Sequence, residues 1–200
     1  AGCCGTDDAL TTLRAHGLTA KRSFGQCFLA DRGIAARIAE LATDPPGGTV
    51  LEIGAGLGAL TEPLLARAAQ VTAIERDRDL VPLLRAQLSA DHLTIVEADA
   101  ARAPCPHVVC GNLPYQITGR LIERTVGVAT SIDRAVFMVQ AEVADRLVAE
   151  SGGKQYGVLT VFTQAAFVIE RALRVPAGAF APRPKVDAGV VTLTPRDAPI

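Results

Sequence analysis

Hydrophobic positions along the chain follow two alternating spacings, and this alternation predicts the order of the elements. Short β-branched runs indicate buried strands, whereas apolar residues that recur every three or four positions indicate helices. The predicted strands are 49–53, 71–75, 93–97, 107–110, 135–139, 167–175 and 188–193. The predicted helices begin at Asp31 and then cover 57–68, 78–88, 118–128 and 142–150. Such an order is typical of an α/β fold with a mostly parallel seven-stranded sheet and helices on both faces.

Three segments do not fit this alternation. The first twenty or so residues show weak periodicity, and residues 156–166 are compatible with either a helix or a strand. Residues 176–184 contain too much proline for the interior of a sheet. Because 200 residues suit one ordinary domain, we expect residues 1–30 to form an arm and residues 31–200 to form the sheet domain.

The composition favours a folded chain without a uniformly basic surface. Hydrophobic residues make up 49% and charged residues 20%, which excludes a disordered chain. The formal net charge is -1, so a wholly basic nucleic-acid coat is excluded. Two segments nevertheless hold basic residues and no acidic ones, 9–30 and 171–186. They predict either solvated loops or a local RNA-contacting face.

The cysteines and the apolar runs suggest the cellular compartment. The five cysteines are odd in number and form no C-x-x-C pair, so we expect neither a disulfide framework nor a metal site. No apolar run approaches the ~20 residues of a membrane span, and no signal segment is visible. We therefore expect a soluble cytoplasmic protein with no membrane partner.

A glycine-rich loop follows the first predicted strand. Its sequence runs from Glu52 through Gly54, Gly56 and Gly58, at the strand-to-helix turn where open α/β sheets bind nucleotides. The same glycines satisfy a relaxed dinucleotide fingerprint and also suit a purely structural turn. The acidic residue before the first glycine, the third glycine and the absence of a nearby basic side chain favour S-adenosylmethionine instead.

Two acidic residues end the next two predicted strands. Glu75 lies 21 positions after Gly54, the distance expected of a carboxylate that accepts both ribose hydroxyls. Asp99 follows the third strand, where a carboxylate can accept the amino proton of adenine. NAD and S-adenosylmethionine share the adenosine, so neither residue distinguishes between these ligands.

The segment Asn112-Leu113-Pro114-Tyr115 follows the fourth predicted strand, at the same sheet edge as the glycines. Pro114 fixes its own φ and extends Leu113, so the Leu113 carbonyl and the Asn112 amide can face one point. Two acceptors there favour pyramidalisation of an adenine amino group, whose lone pair then points at a sulfonium methyl. Tyr115 can stack on a flipped base. An isolated segment of this kind is more often a simple turn, but its position favours catalysis.

These motifs resemble those of the KsgA-type rRNA adenine N6-dimethyltransferases, to which the Erm methylases are related. The resemblance runs from about Lys21 to Thr194, and the matching segments are 21–29, 52–58, 111–115, 140–147, 156–157 and 180–186. It implies a Rossmann-like fold that uses S-adenosylmethionine.

The resemblance also implies the residues of the site. The implied cofactor contacts are Gln26, Cys27, Leu29, Gly54, Gly56, Glu75, Asp99 and Asn112. The implied catalytic set is Asn112, Leu113, Pro114, Tyr115 and Phe180, with the two aromatic side chains flanking the target base.

Two departures from the family pattern change what we expect. Cys27 stands where the family usually has Asn, and the weak hydrogen bonding of cysteine predicts reduced cofactor affinity. The family usually carries a C-terminal helical domain, which we expect to be absent from a chain that stops at Ile200. We accordingly expect low intrinsic RNA affinity with a steep dependence on salt.

The resemblance implies N6-(di)methylation of adenosines near the 3′ end of small-subunit (16S-type) rRNA. The expected partner is that rRNA or a pre-ribosomal particle, bound by a monomer. One alternative keeps the chemistry and changes the substrate, to 23S rRNA as in Erm or to a small molecule. Another is a non-catalytic ribosome-assembly factor. An NAD-dependent oxidoreductase is the weakest alternative, because none of the three histidines has a position suited to hydride transfer.

Overall fold

Five parallel strands form the centre of the protein in the computed structural model, which describes residues 7–100 and 107–197. The helices are α1 (Asp7–Ala15), α2 (Arg32–Ala42), α3 (Thr61–Leu65), α4 (Leu80–Gln87), α5 (Thr118–Gly127), α6 (Ala141–Leu147) and α7 (Val158–Ala166). The strands are β1 (Phe28–Leu29), β2 (Thr49–Ile53), β3 (Gln70–Glu75), β4 (Leu93–Glu97), β5 (Val108–Asn112), β6 (Arg134–Gln140), β7 (Phe167–Val175), β8 (Phe180–Ala181) and β9 (Ala188–Pro195).

The main sheet has seven strands in the order β4-β3-β2-β5-β6-β9-β7. The first five are parallel, whereas β9 runs antiparallel to both β6 and β7. The chain moves outward in one direction through β2, β3 and β4, then returns to place β5 on the other side of β2. This reversal is a topological switch point, and open α/β sheets bind ligands in the crevice beyond it.

Alternate residues of the strands pack on opposite faces of this sheet. In β6, Val136 and Met138 lie in an apolar cluster that includes Ile38 of α2. Phe137 lies in a second cluster with Leu121 of α5. Burying each such side chain stabilises the fold by about 1.5–3 kcal/mol. Helices therefore cover both faces, as the alternating pattern predicts.

The strand predictions agree closely with the structure, and the helix predictions agree less well. Strands β2, β4 and β7 have the predicted bounds. Helix α3 is shorter than the predicted 57–68, and it begins later because Gly58 has a φ of 85°, which lies outside the helical region. Helix α1 lies in the segment whose weak periodicity gave no prediction.

Helix α7 resolves the ambiguous segment 156–166 and also shows why its periodicity was uninformative. Thr160 and Thr163 face the interior, whereas Val158 and Phe162 are exposed. The hydroxyl groups of the two threonines donate to backbone carbonyl groups of Arg146 and Leu159, which satisfies them in the interior. The polar and apolar faces of this helix are thus reversed relative to the usual pattern.

The arm packs against the sheet domain at two places. Leu13 of α1 is buried in a cluster with Phe28 and with Leu80 and Leu83 of α4. Strand β1 of the arm pairs antiparallel with β8 of the proline-rich segment, and these two strands form a small second sheet. The division into an arm and a domain stays a prediction, and residues 1–6 and 198–200 lie outside the described residues, as do Cys3, Cys4 and Cys105.

Within the two described ranges, no helix has the length and apolar character needed to cross a membrane. In the same ranges, no three or more His, Cys, Asp or Glu side chains are grouped so that they could hold a metal ion.

Candidate functional site

The glycine loop between β2 and α3 has a backbone path that side chains cannot follow. Gly54, Gly56 and Gly58 all have positive φ, at 73°, 57° and 85°. A Cβ at Gly58 would lie 2.7 Å from Leu88, and one at Gly56 would lie 3.1 Å from the Phe28 ring. The loop therefore needs glycine for its conformation and for the closeness of its neighbours.

Glu75 ends β3 with its carboxylate fixed by two backbone amides. The N–H of Gly56 donates to its Oε2 at 2.8 Å, and the N–H of Asp77 donates to its Oε1 at 2.7 Å. A carboxylate has about four acceptor positions, so this one retains capacity for two ligand hydroxyls. Its orientation is set by the sheet and the glycine loop together.

Glu52 lies beneath the glycine loop and is almost completely buried. Burial raises the pKa of its carboxyl to about 7; the hydrogen bond from Thr61 opposes this rise, and the charge of Glu75 adds to it. The Thr61 hydroxyl donates to Glu52 Oε2 at 2.6 Å. The loop thus rests on a carboxyl group that titrates near neutral pH.

Asn112 lies directly beside the glycine loop because β2 and β5 approach each other closely. A Cβ on Gly111 would lie 2.3 Å from the Ile53 carbonyl oxygen, so only glycine permits this approach. A Cβ on Gly54 would lie 3.6 Å from the carbonyl oxygen of Asn112. The two motifs that the sequence places at one sheet edge are therefore in contact.

The turn after Asn112 is held at both ends by hydrogen bonds. The Leu113 N–H donates to the Met138 carbonyl of β6 at 3.0 Å. The Pro114 carbonyl accepts from the Ile117 N–H at 3.1 Å and from the Thr118 hydroxyl at 3.0 Å. These bonds fix the start of α5 relative to the sheet edge.

The Asn112 side chain connects this turn to the arm. Its Nδ2 donates to the Cys27 carbonyl at 3.0 Å. This bond fixes which end of the amide is the donor, so the acceptor Oδ1 is the end that remains for a ligand.

Tyr115 contributes a buried hydroxyl that has no hydrogen-bond partner among the described residues. Burial raises the pKa of this phenol to about 12, and the nearby Cys27 adds to the rise. Burial also raises the pKa of the Cys27 thiol. Both groups are therefore neutral at physiological pH. A buried polar atom without a partner is uncommon in folded proteins.

A cavity of about 400 Å³ joins these features. This volume lies within the range of small-molecule sites. The predicted site residues that line it are Gln26, Cys27, Leu29, Gly54, Gly56, Glu75, Asp99, Asn112, Leu113, Pro114 and Tyr115.

Phe180 is the predicted site residue that does not line the cavity. It is 2% exposed, pairs with Leu29 between β1 and β8, and packs in the cluster below the arm. Its side chain is thus committed to packing in this structure, and its role beside a target base stays a prediction.

The structure also brings residues to the cavity that sequence reasoning missed. Phe24 and Arg76 line it, and the Arg76 guanidinium lies 5.5 Å from the centre of the Phe24 ring. Phe24 lies within the 21–29 motif and Arg76 directly follows Glu75. Their closeness in sequence to predicted site residues was therefore the one feature that could have indicated that they line the cavity.

Several basic side chains of the two basic segments form ion pairs, which their local sequence does not predict. Lys21 pairs with Asp77 and Asp79, Arg171 pairs with Asp145, and Arg174 pairs with Asp187. The acidic partners come from other parts of the chain, except Asp187, which lies just past the second segment. The segments therefore do not form a wholly unpaired basic surface.

Comparison with known proteins identifies the family. A family model described as ribosomal RNA adenine dimethylase matches residues 17–200. The chain belongs to this family. Membership confirms the predicted Rossmann-like methyltransferase fold and the predicted enzyme class, an rRNA adenine methyltransferase.

Individual relatives agree with the family match. The ribosomal RNA small subunit methyltransferase A of Anaeromyxobacter sp. (strain K) is 42% identical over 196 residues, which covers 90% of this chain and 69% of the relative. The enzyme of the same description from Thermosynechococcus vestitus is 43% identical, with coverage of 89% and 71%.

Two solved structures of the same fold are also similar. A dimethyladenosine transferase from Plasmodium falciparum superposes with a TM-score of 0.78 at 30% identity, over 85% of this chain and 64% of that chain. The 23S rRNA methyltransferase ErmE superposes with a TM-score of 0.77 at 37% identity, over 86% and 71%.

Proposed function

We propose that this member of the ribosomal RNA adenine dimethylase family methylates N6 of adenosines near the 3′ end of small-subunit (16S-type) rRNA, with S-adenosylmethionine as the donor. The observation that carries the proposal is the contact between the glycine loop and the turn at Asn112, which together border one cavity. A donor bound by the loop and an adenine held by the turn would share that cavity.

The residues present fit S-adenosylmethionine, which when bound supplies an electrophilic methyl group. The glycines let the main chain of the loop approach the ligand closely, and the Glu75 carboxylate has acceptor capacity for the ribose hydroxyls. Asp99 lines the same cavity, where it would accept from the adenine amino group. Cys27 and Leu29 supply the wall of the cavity that comes from the arm.

The turn at Asn112 acts on the target adenine. With Nδ2 held by the Cys27 carbonyl, the Asn112 Oδ1 accepts a hydrogen bond from one N–H of the exocyclic amine, and the Leu113 carbonyl accepts one from the other N–H. These two bonds oppose delocalisation of the nitrogen lone pair into the ring and fix its direction. Positioning of this kind, together with stabilisation of the positive charge that develops on nitrogen, supplies the catalysis.

No side chain of the turn has to act as a strong base. The pKa of Tyr115 is raised to about 12, so the phenol remains protonated. The methylated amine is acidic enough to release its proton to water. The Tyr115 ring instead stacks on the everted base, which is worth about 1–3 kcal/mol by analogy with single-strand binders.

The choice of the small subunit rests on the relatives and on one residue of the turn. Eight curated relatives described as small-subunit methyltransferases are 38–43% identical to this chain. Leu113 matches the KsgA form of the motif rather than the Ile common in Erm. The similarity to ErmE keeps 23S rRNA as the second candidate. We further propose that the protein acts as a monomer in the cytoplasm.

Labelled S-adenosylmethionine incubated with undermodified 30S particles, 50S particles or free adenosine tests this proposal. We expect label to enter the 30S rRNA, and mass spectrometry to place it on N6 of adenosines near the 3′ end. Label in the 50S rRNA alone would favour the Erm-like alternative. Cofactor binding without label in any substrate would favour a non-catalytic assembly factor.

A further inference from the structure

Asp77 is a buried carboxylate that is bonded to two residues of the cavity lining, Gln26 and Glu75, and that receives hydrogen bonds from two parts of the chain. Lys21 Nζ donates to its Oδ1 at 2.5 Å, and Gln26 Nε2 donates to its Oδ2 at 2.7 Å. The backbone N–H of Asp79 adds a third bond at 3.1 Å. Its side chain is only 3% exposed. A carboxylate so far from water is stable only when its acceptor positions are used in this way.

Each end of the Gln26 amide makes one hydrogen bond in this arrangement. Its Oε1 accepts from the Lys21 N–H at 2.7 Å while its Nε2 donates to Asp77. These two bonds link the arm to Asp77. Gln26 also lines the cavity, and the direct cofactor contact that the sequence predicts for it stays a prediction.

Asp77 also contacts the residue proposed to hold the ribose. Its backbone N–H donates to Glu75 Oε1 at 2.7 Å. The same residue therefore orients the Glu75 carboxylate through its main chain and holds the arm through its side chain. Gln26 and Glu75, the partners in these contacts, both line the cavity.

The arm has three attachments to the sheet domain along the segment 21–29. Asp77 and Asp79 hold its beginning, the Asn112 side chain holds its middle through the Cys27 carbonyl, and β8 pairs with its end. The first of these attachments consists of side-chain bonds alone. Removing the Asp77 carboxylate would leave, among the described residues, the more exposed Lys21–Asp79 pair to hold the segment before Cys27 to the sheet domain.

We infer that Asp77 is a positioning residue: it holds residues 21–26 of the arm against the strand ends, so that the arm wall and Glu75 grip the cofactor together. This inference rests on the proposed function. It predicts that loss of the Asp77 carboxylate loosens the arm and weakens cofactor binding, while the turn at Asn112 continues to align the adenine.

Asp77→Asn tests this inference, with Asp79→Asn as the matched control. The Asn variant keeps the size of the side chain, but its NH₂ group is a donor. It therefore cannot accept the hydrogen bond from either Lys21 or Gln26, whichever it faces. Asp79 also bonds Lys21, at 2.6 Å, but its side chain is 51% exposed and contacts neither Gln26 nor Glu75. Lys21→Met, which keeps the apolar stem, serves as a second variant if Asp77→Asn fails to fold.

Two measurements separate positioning from a general loss of structure. Amide hydrogen exchange reports the arm directly, because the N–H groups of Phe24 and Gln26 bond the Lys21 carbonyl. We expect these amides to exchange about tenfold faster in Asp77→Asn, with exchange in β2 and β5 unchanged.

Steady-state kinetics report the effect on the cofactor. We expect the KM for S-adenosylmethionine to rise about tenfold and kcat at saturating cofactor to stay within twofold. Asp79→Asn should change none of these by more than about twofold.

If the amides of Phe24 and Gln26 exchange at the wild-type rate in Asp77→Asn, the inference is overturned, even when the KM for S-adenosylmethionine is raised. Failure of the wild-type chain to bind S-adenosylmethionine would count against the proposed function instead, and the exchange comparison would still decide whether Asp77 braces the arm.

Discussion

The two walls of the cavity are built in different ways. The sheet wall, formed by the glycine loop, Glu75 and Asn112, is set by backbone: parallel strand pairing and a strand approach that tolerates no Cβ at Gly111. The arm wall, residues 21–29, is set mainly by side chains that reach it from distant parts of the sequence. The Gln26–Asp77 bond spans 51 positions and the Asn112–Cys27 bond spans 85.

This difference indicates which wall is rigid and which can open. The sheet wall cannot move without breaking the β2–β5 pairing and the packing on both faces. The first part of the arm wall can move away when the few polar bonds around Asp77 break. Substitutions in the sheet wall should therefore act on catalysis and folding, whereas those in the arm wall should act on cofactor affinity.

Asn112→Ala would break both walls at once and should have the largest effect. The variant loses the acceptor for the adenine amine and the donor that holds the Cys27 carbonyl. We expect kcat to fall about 100- to 1000-fold, the usual cost of losing one preorganised polar group at a reacting centre. Single-turnover methyl transfer at saturating cofactor measures this. An unchanged rate would remove Asn112 from the mechanism.

Gly111→Ala tests the rigidity of the sheet wall. The new Cβ would lie 2.3 Å from the Ile53 carbonyl oxygen, which the paired backbone cannot relieve. We expect the free energy of unfolding in urea to fall by about 3 kcal/mol or more. Gly119→Ala is the control, because nothing lies within 4 Å of a Cβ there on helix α5. It should raise stability by about 0.5–1 kcal/mol.

Glu52→Gln tests the carboxyl beneath the sheet wall. Because the folded-state pKa of Glu52, about 7, exceeds its ordinary value of 4.5, its stabilising effect is present below pH 4.5 and is lost as the pH rises through 7. Gln keeps an acceptor for Thr61 and does not titrate. We expect wild type to lose on the order of 2–3 kcal/mol of unfolding free energy relative to Glu52→Gln between pH 4.5 and 8. Parallel pH profiles for the two proteins would contradict this.

Cys27→Asn tests whether the side chain at position 27 of the arm wall contributes to cofactor affinity. Asn at this position offers a stronger donor and acceptor than the thiol does. We expect S-adenosylmethionine to bind about fivefold more tightly, the worth of one neutral hydrogen bond of about 1 kcal/mol. Calorimetric titration measures this, with kcat expected to remain unchanged. An equal or weaker affinity would show that the side chain of Cys27 does not face the cofactor.

Sequence reasoning succeeded where local pattern and sheet geometry act together. Gly54, Glu75 and Asn112 each lie at or just after the end of a predicted strand, and the carboxyl ends of parallel strands meet at one sheet edge. It gave no indication of contacts between distant parts of the chain. Phe180 is buried because β8 pairs with β1 across more than 150 positions, and no local pattern indicates that pairing. Its role beside a target base stays a prediction. The sequence likewise did not indicate the ion-pair partners of Lys21, because Asp77 and Asp79 lie more than 50 positions away, after Glu75.

We propose that the cavity between the two walls binds S-adenosylmethionine through Glu75. Titration calorimetry of wild type and Glu75→Ala tests this without any RNA. We expect wild type to bind and the variant to bind at least about tenfold more weakly, because a charged acceptor contributes about 1.5–3 kcal/mol. Equal affinities for the two proteins would contradict it.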